Sequence, residues 1–242
     1  MSALAALGLF AALPVGFASE LSPIGLGLVV AFLILSLGVH EAAHAWVALK
    51  RGDPTARDLG RITLNPIPHI DPVMTILIPL FLGLGSGGEY IFGGAKPVPV
   101  NAAKLKNPLG DMVLVALAGP FSNVLLAVLF GALYKLALVH GFYSGAAESI
   151  YERQFQLLPL VLEYSMSMNL LLAVFNLIPV PPLDGSRVMT WLLPANLREG
   201  YTRFGMLGMF LVVGLSFYPP FSRTLLRAVH GMSDLIISWV PA

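Results

Sequence analysis

Apolar residues run in long blocks along this chain, separated by short clusters of proline, glycine and charge. A helix needs about 20 apolar residues to cross the hydrocarbon core of a bilayer, so the blocks are read against that length. The first covers about residues 3–18, is short and contains Pro14. The second runs over 23–49. It opens with Ser22-Pro23, an N-cap followed by proline at the first helical position, and stops at Lys50-Arg51-Gly52-Asp53-Pro54. Residues 50–71 are polar and proline-rich. Residues 72–84 are apolar but short for a span, and glycine-rich runs flank Tyr90-Ile91-Phe92, so this stretch predicts a re-entrant dip or a β-hairpin. Asn107-Pro108 caps a helix over about 109–138. Another helix covers 157–177 and breaks at Pro179, Pro181 and Pro182. A short helix follows Asp184 up to Pro194, and 203–218 and 223–240 read as two last spans. The pattern predicts an all-α polytopic membrane protein with about six transmembrane helices and a short re-entrant or β-hairpin segment. It reads as a single domain over 1–242 with its core at 23–194, without repeats or a separate soluble domain.

Composition agrees with this and narrows the chemistry. The 242 residues are 57% hydrophobic and 11% charged, whereas a soluble domain carries about 25% charged residues. So much apolar surface needs the lipid bilayer as solvent. A formal net charge of +1 points to no nucleic-acid partner. The chain has no cysteine, so any metal ligands are His, Asp or Glu. Met1–Ala18 has no basic n-region and reads as a retained membrane segment. Basic residues cluster at 50–61, 96–106 and 187–203, which by the positive-inside rule face the cytoplasm. Arg223 and Arg227 fit that topology poorly.

Within the second apolar block lies Gly38-Val39-His40-Glu41-Ala42-Ala43-His44. His40 and His44 are four residues apart, share one helix face and can bind one metal ion, with Glu41 beside them as general base. Ionisable groups at membrane depth are costly and are functional candidates by default. A catalytic zinc takes three protein ligands and keeps one position open. For the third, two candidates face the same side: Asp184 and the pair His69/Asp71. Asp184 follows a helix broken by prolines and is read either as a ligand or as the N-cap of the next helix. His69 and Asp71 read rather as a turn with an Asx cap. Asn123 can satisfy backbone groups freed at Pro120 or serve the site directly. Ser165 with Asn169 and Glu163 with Ser167 read as interhelical hydrogen-bonding pairs. Trp46 and Trp191 read as interfacial anchors, and His140 and His230 as solvated.

These residues resemble those of the site-2 proteases, intramembrane zinc metalloproteases. The likeness rests on His40–His44, on Ala118-Gly119-Pro120 with Asn123, and on the N-x-x-P-x-P-x-L-D-G pattern of Asn176, Pro179, Pro181, Leu183, Asp184 and Gly185. It spans about residues 35–190. The resemblance implies one Zn2+ per chain held by His40, His44 and Asp184, with Glu41 activating the water. It implies that Asn176 and Asn123 hold the substrate or the developing oxyanion. The re-entrant segment would lie near the active site, where backbone at 86–100 can pair with an extended substrate. It further implies a membrane-spanning protein substrate, a multi-pass protein of a prokaryotic cytoplasmic membrane, and a site opening toward the cytoplasm. The chain carries no inserted PDZ-type or nucleotide-sensing domain, as in a minimal form. From other classes, a divalent-metal transporter or channel and a scaffold with a structural metal remain as readings. Glu41 separates them, since a transport site needs no acid that is not itself a ligand, and a structural site would be closed by four ligands where three are convincing.

Overall fold

The computed structural model describes residues 8–9, 13–14, 23–78, 81, 90–91, 93–140 and 150–239. Three helices form its centre: α1 (Pro23–Lys50), α3 (Pro108–Val139) and α4 (Ile150–Asn176). A one-turn helix, α2 (Thr55–Asp58), follows α1. After α4 come α5 (Gly185–Leu192), α6 (Ala195–Arg203), α7 (Gly205–Ser216) and α8 (Pro219–Trp239).

Local sequence explains where the central helices start and stop. α1 begins on Pro23 and ends where Gly52 takes φ +111°. There Gly52 N–H reaches the Leu49 carbonyl and Asp53 N–H the Ala48 carbonyl, closing the helix in a Schellman turn. The fully buried Asp53 carboxylate then accepts from the Thr55 and Asn101 N–H groups at 3.0 and 2.6 Å, tying this end to the segment before α3. α3 starts with Asn107 as N-cap, Pro108 next, and a buried Asp111 that accepts the Asn107 N–H and faces Arg51 at 3.4 Å.

Burial is inverted relative to a soluble bundle. Phe121, Leu125, Leu129, Leu133 and Leu136 form an exposed apolar stripe on α3, while Ser36, His40, Glu41, Asn123 and Asn169 are buried among the helices. That is the distribution expected where lipid is the solvent and polar groups must find partners inside. The core is completed by Phe130, Leu162, Met166, Leu170, Phe175, Val212 and Val229, which bring α7 and α8 onto α3 and α4.

The spans differ from the pattern-based reading. Among the described residues, three helices are long and apolar enough to cross a membrane: Ile24–Lys50, Pro108–Val139 and Leu157–Asn176. A fourth exists if α7 and α8, bent by 81°, count as one. The described residues thus give three or four of the about six spans expected. α7 has 12 residues, about 18 Å at 1.5 Å per residue, too short to cross alone. Of residues 3–18, where a first span was expected, the described ones form two short strands, β1 (Gly8–Leu9) and β2 (Leu13–Pro14), and the rest lie outside the described residues. After α2, residues Pro72–Leu77 form a π-helical turn. Residues 82–89 and 92, part of the expected re-entrant or hairpin segment, lie outside the described residues. Its strands β3 (Tyr90–Ile91) and β4 (Gly94–Ala95) pair with β2 and β1 respectively, both antiparallel, instead of with each other.

Candidate metal centre

His40 and His44 lie in the last third of α1, one turn apart and facing α3 and the loop before α5. Both are buried. Each imidazole is fixed by its Nδ1. His40 Nδ1 lies 2.5 Å from Asn123 Oδ1, and His44 Nδ1 lies 2.7 Å from the Val115 carbonyl. Both partners are acceptors, so each Nδ1 carries the proton and each Nε2 presents a lone pair. The two Nε2 atoms are 3.0 Å apart.

The loop 177–184 brings in a third acceptor. Asp184 Oδ2 sits 3.2 Å from His40 Nε2 and 3.3 Å from His44 Nε2. Asp184 stands at the N-cap position of α5 but makes no capping hydrogen bond with its side chain, which settles the cap reading against it. Two glycines allow this placement. A Cβ on Gly185 would fall on the Leu177 carbonyl, and one on Gly208 in α7 would run into the Pro181 carbonyl oxygen. Leu183, almost fully buried, anchors the loop from the other side.

Three acceptors converging without a donor between them repel unless a cation lies among them. The distances also fit. Ligands about 2.0–2.2 Å from a tetrahedral ion stand roughly 3.3 Å from one another. Gly119 of α3 closes the cradle, because a Cβ there would lie 2.5 Å from His44 Cε1 and 2.6 Å from His40 Cε1. His40, His44 and Asp184 are the one group of this kind among the described residues that can hold a metal ion. Glu41, also buried, stays out of the group: its Oε2 accepts the Val98 N–H at 2.7 Å.

The remaining expected residues are placed as follows. Asn123 is fully buried, and its carbonyl serves His40 while its amide donates to Asn169 Oδ1 at 2.9 Å. Asn169 continues to Ser36 Oγ at 3.0 Å, a buried polar chain running from α3 through α4 back to α1. Asn176 is buried, with its amide donating to the Leu172 carbonyl at 2.9 Å. His69 and Asp71 do not join the group. Asp71 caps the turn after it by accepting from Val73 and Met74 N–H, and His69 Nε2 faces the Thr63 carbonyl.

Comparison with known proteins decides the family. The sequence model of peptidase family M50 matches residues 28–217. The chain belongs to peptidase family M50. It is therefore a site-2-protease-type metalloprotease built on membrane-spanning helices. This peptidase is 41% identical over 205 residues to "Putative zinc metalloprotease YwhC" of Bacillus subtilis, covering 85% of this chain and 87% of that one. It is 27% identical over 209 residues to "Putative zinc metalloprotease Rip2" of Mycolicibacterium smegmatis, covering 86% and 73%. A shorter match, 38% over 77 residues and 32% of each chain, is to "Putative zinc metalloprotease MJ0611" of Methanocaldococcus jannaschii. No solved structure matches the chain.

Sequence reasoning about this M50 peptidase missed the groups that aim the side chains. Val115 and Val98 act through backbone atoms, which leave no signal in residue type. Ser36 is an ordinary small residue in an apolar helix, and only its distance from Asn169 reveals it. The structure makes a prediction for Asn123. Replacement by Leu keeps the branch at Cγ but leaves the His40 Nδ1–H and Asn169 Oδ1 unpaired. Metal affinity is expected to fall about 10–100-fold, as for other outer partners of a ligating His, measured by competition with a chelating dye.

Proposed function

We propose that this peptidase is an intramembrane zinc endopeptidase, with one Zn2+ per chain held by His40, His44 and Asp184 and with Glu41 as general base. The observation that carries the reading is the convergence of two imidazole lone pairs and one carboxylate oxygen at 3.0–3.3 Å, beside a carboxylate kept off the group by Val98. When bound, zinc supplies a Lewis acid that lowers the pKa of water from about 16 to near 7. Glu41 takes the proton of the attacking water on its free carboxylate oxygen and passes it to the leaving amine. Asn123 keeps His40 in the tautomer that offers Nε2, and the Val115 carbonyl does the same for His44. Asn176, at the end of α4 just before the Asp184 loop, would hold the substrate or the developing oxyanion. A metal-transport site has no use for an acid held beside the ligands and not among them.

The substrate is a membrane-spanning protein segment. A helix hides its scissile carbonyl in an intrahelical hydrogen bond, so the segment must unwind near the cleaved bond. The His40–His44 motif lies toward the basic end of α1, marked by Lys50 and Arg51. By the positive-inside rule that end is cytoplasmic, and water reaches the site from there.

The test is cleavage by the purified protein in liposomes, with a panel of single-span substrates carrying helix-breaking residues. Wild type is expected to cleave, to stop when a chelator removes its metal, and to recover with one equivalent of zinc. Asp184→Ala is expected to lose both zinc and cleavage. Cleavage that survives complete metal removal, or an Asp184→Ala protein with full zinc and full activity, defeats the reading.

A further inference from the structure

Glu41 takes its direction from a backbone donor, and the segment carrying that donor is itself held by a buried cation. Val98 N–H donates to Glu41 Oε2 at 2.7 Å. Just upstream, Arg61 Nη2 donates to the Lys96 carbonyl at 2.6 Å and to the Pro97 carbonyl at 3.2 Å. The Lys96 N–H in turn donates to the His69 carbonyl at 2.7 Å. Lys96 and Pro97 are therefore gripped on both their carbonyls and on the one N–H that precedes the donor.

The sequence of this segment sharpens the point. Val98 lies between Pro97 and Pro99. Neither proline has an N–H, so the Val98 N–H is the one donor the tripeptide offers. Val98 is buried against Ala45 and Ala56, with Ile62 beside them, so its side chain locks the register. Arg61 is 7% exposed. A buried guanidinium loses much hydration, and an apolar side chain would brace an extended segment at lower cost. Its charge therefore calls for an explanation. Burial pulls the Arg61 pKa down and the charge of Glu41 pushes it back up, which places the two groups in electrostatic reach of one another. Glu41 is thus pinned by one oxygen, leaving the other for the reaction.

We infer that Arg61 is a positioning residue for the peptidase reaction: by gripping the carbonyls of Lys96 and Pro97 it aims the lone N–H of Val98 at Glu41 and fixes the direction of that carboxylate. The inference rests on the reading of Glu41 as general base.

The experiment compares kcat, KM and bound zinc for wild type, Arg61→Met, Arg61→Lys, Val98→Pro, the Arg61→Met/Val98→Pro double variant and Glu41→Gln. Arg61→Met is expected to lower kcat about 10–100-fold, the range for removing an outer partner of a reacting group, with KM and zinc unchanged. Val98→Pro deletes the donor and lowers kcat by the same factor. The double variant falls no further, because both changes remove one device. Arg61→Lys, which keeps a charged donor, recovers part of the loss. Wild-type kcat in Arg61→Met, a rise in KM in place of a fall in kcat, or losses that multiply in the double variant would each overturn the inference. If Arg61→Met does not fold, Val98→Pro with wild-type kcat overturns it. A dead Glu41→Gln beside a normal Arg61→Met removes this inference alone, whereas an active Glu41→Gln removes the general-base reading and this inference with it.

Discussion

Glu41→Gln is expected to bind zinc as wild type does and to cleave about 10²–10⁴-fold more slowly, the usual contribution of a positioned acid–base group. The split follows from the geometry. Glu41 is outside the group formed by His40, His44 and Asp184, so its charge is not needed to hold the ion. Gln has nearly the same shape and keeps a carbonyl oxygen for the Val98 N–H, so the segment at 96–98 stays in place. What disappears is the ability to accept and return a proton. In energy the loss corresponds to about 3–5 kcal/mol of transition-state stabilisation. Turnover and metal content measured on the same preparation check it. A Glu41→Gln protein that cleaves normally removes the general base from the mechanism, and one that has lost its zinc makes Glu41 a ligand.

Gly119→Ala is expected to cost the protein its metal. The new Cβ would stand 2.5 Å from His44 Cε1 and 2.6 Å from His40 Cε1. Real contacts of that type do not occur, so the rings or the helices must move. The rings cannot swing aside freely, since Val115 and Asn123 hold both of them by Nδ1. Overpacking of this kind costs about 1–3 kcal/mol where the surroundings can adjust, which the apolar contact of α1 with α3 can absorb. The Nε2 pair, however, must separate. Zinc is expected to be lost on purification, and cleavage with it, while the helices remain assembled. Metal analysis beside a thermal unfolding curve measures both. Full zinc in Gly119→Ala would mean that α3 approaches α1 less closely than described.

Different parts of this arrangement were legible in the sequence to different degrees. The histidine pair was, because the helical period alone brings residues four apart together. Asp184 stood level with a simple helix cap until the resemblance to the site-2 proteases was added, and spacing has no means of choosing between the two. Asn123 was placed at the substrate or at the proline kink. In the structure both ends of its amide are engaged, one with His40 and one with Asn169. Arg61 was counted only among the charges that orient the protein in the membrane, because a sliding window sees charge and not burial. The number of spans is hard to read from sequence for a related reason. The apolar window at 203–218 reads like a span, and nothing in hydropathy distinguishes a helix of 12 residues bent away at Pro219. Chain breaks and depth are properties of the backbone path.

The ligands proposed for zinc come from α1 and from the loop that follows α4. During synthesis, His40 and His44 enter the membrane long before Asp184 has been made. For that interval two imidazoles and Glu41 sit at depth without the carboxylate that completes the ion's shell. On the proposed ligand set, the zinc site is complete only once the loop at 177–184 lies beside α1. A chain whose synthesis stops before that loop carries the HEAAH motif but no competent hydrolytic centre. On the proposed mechanism, a nascent copy would have no hydrolytic activity until the bundle has closed.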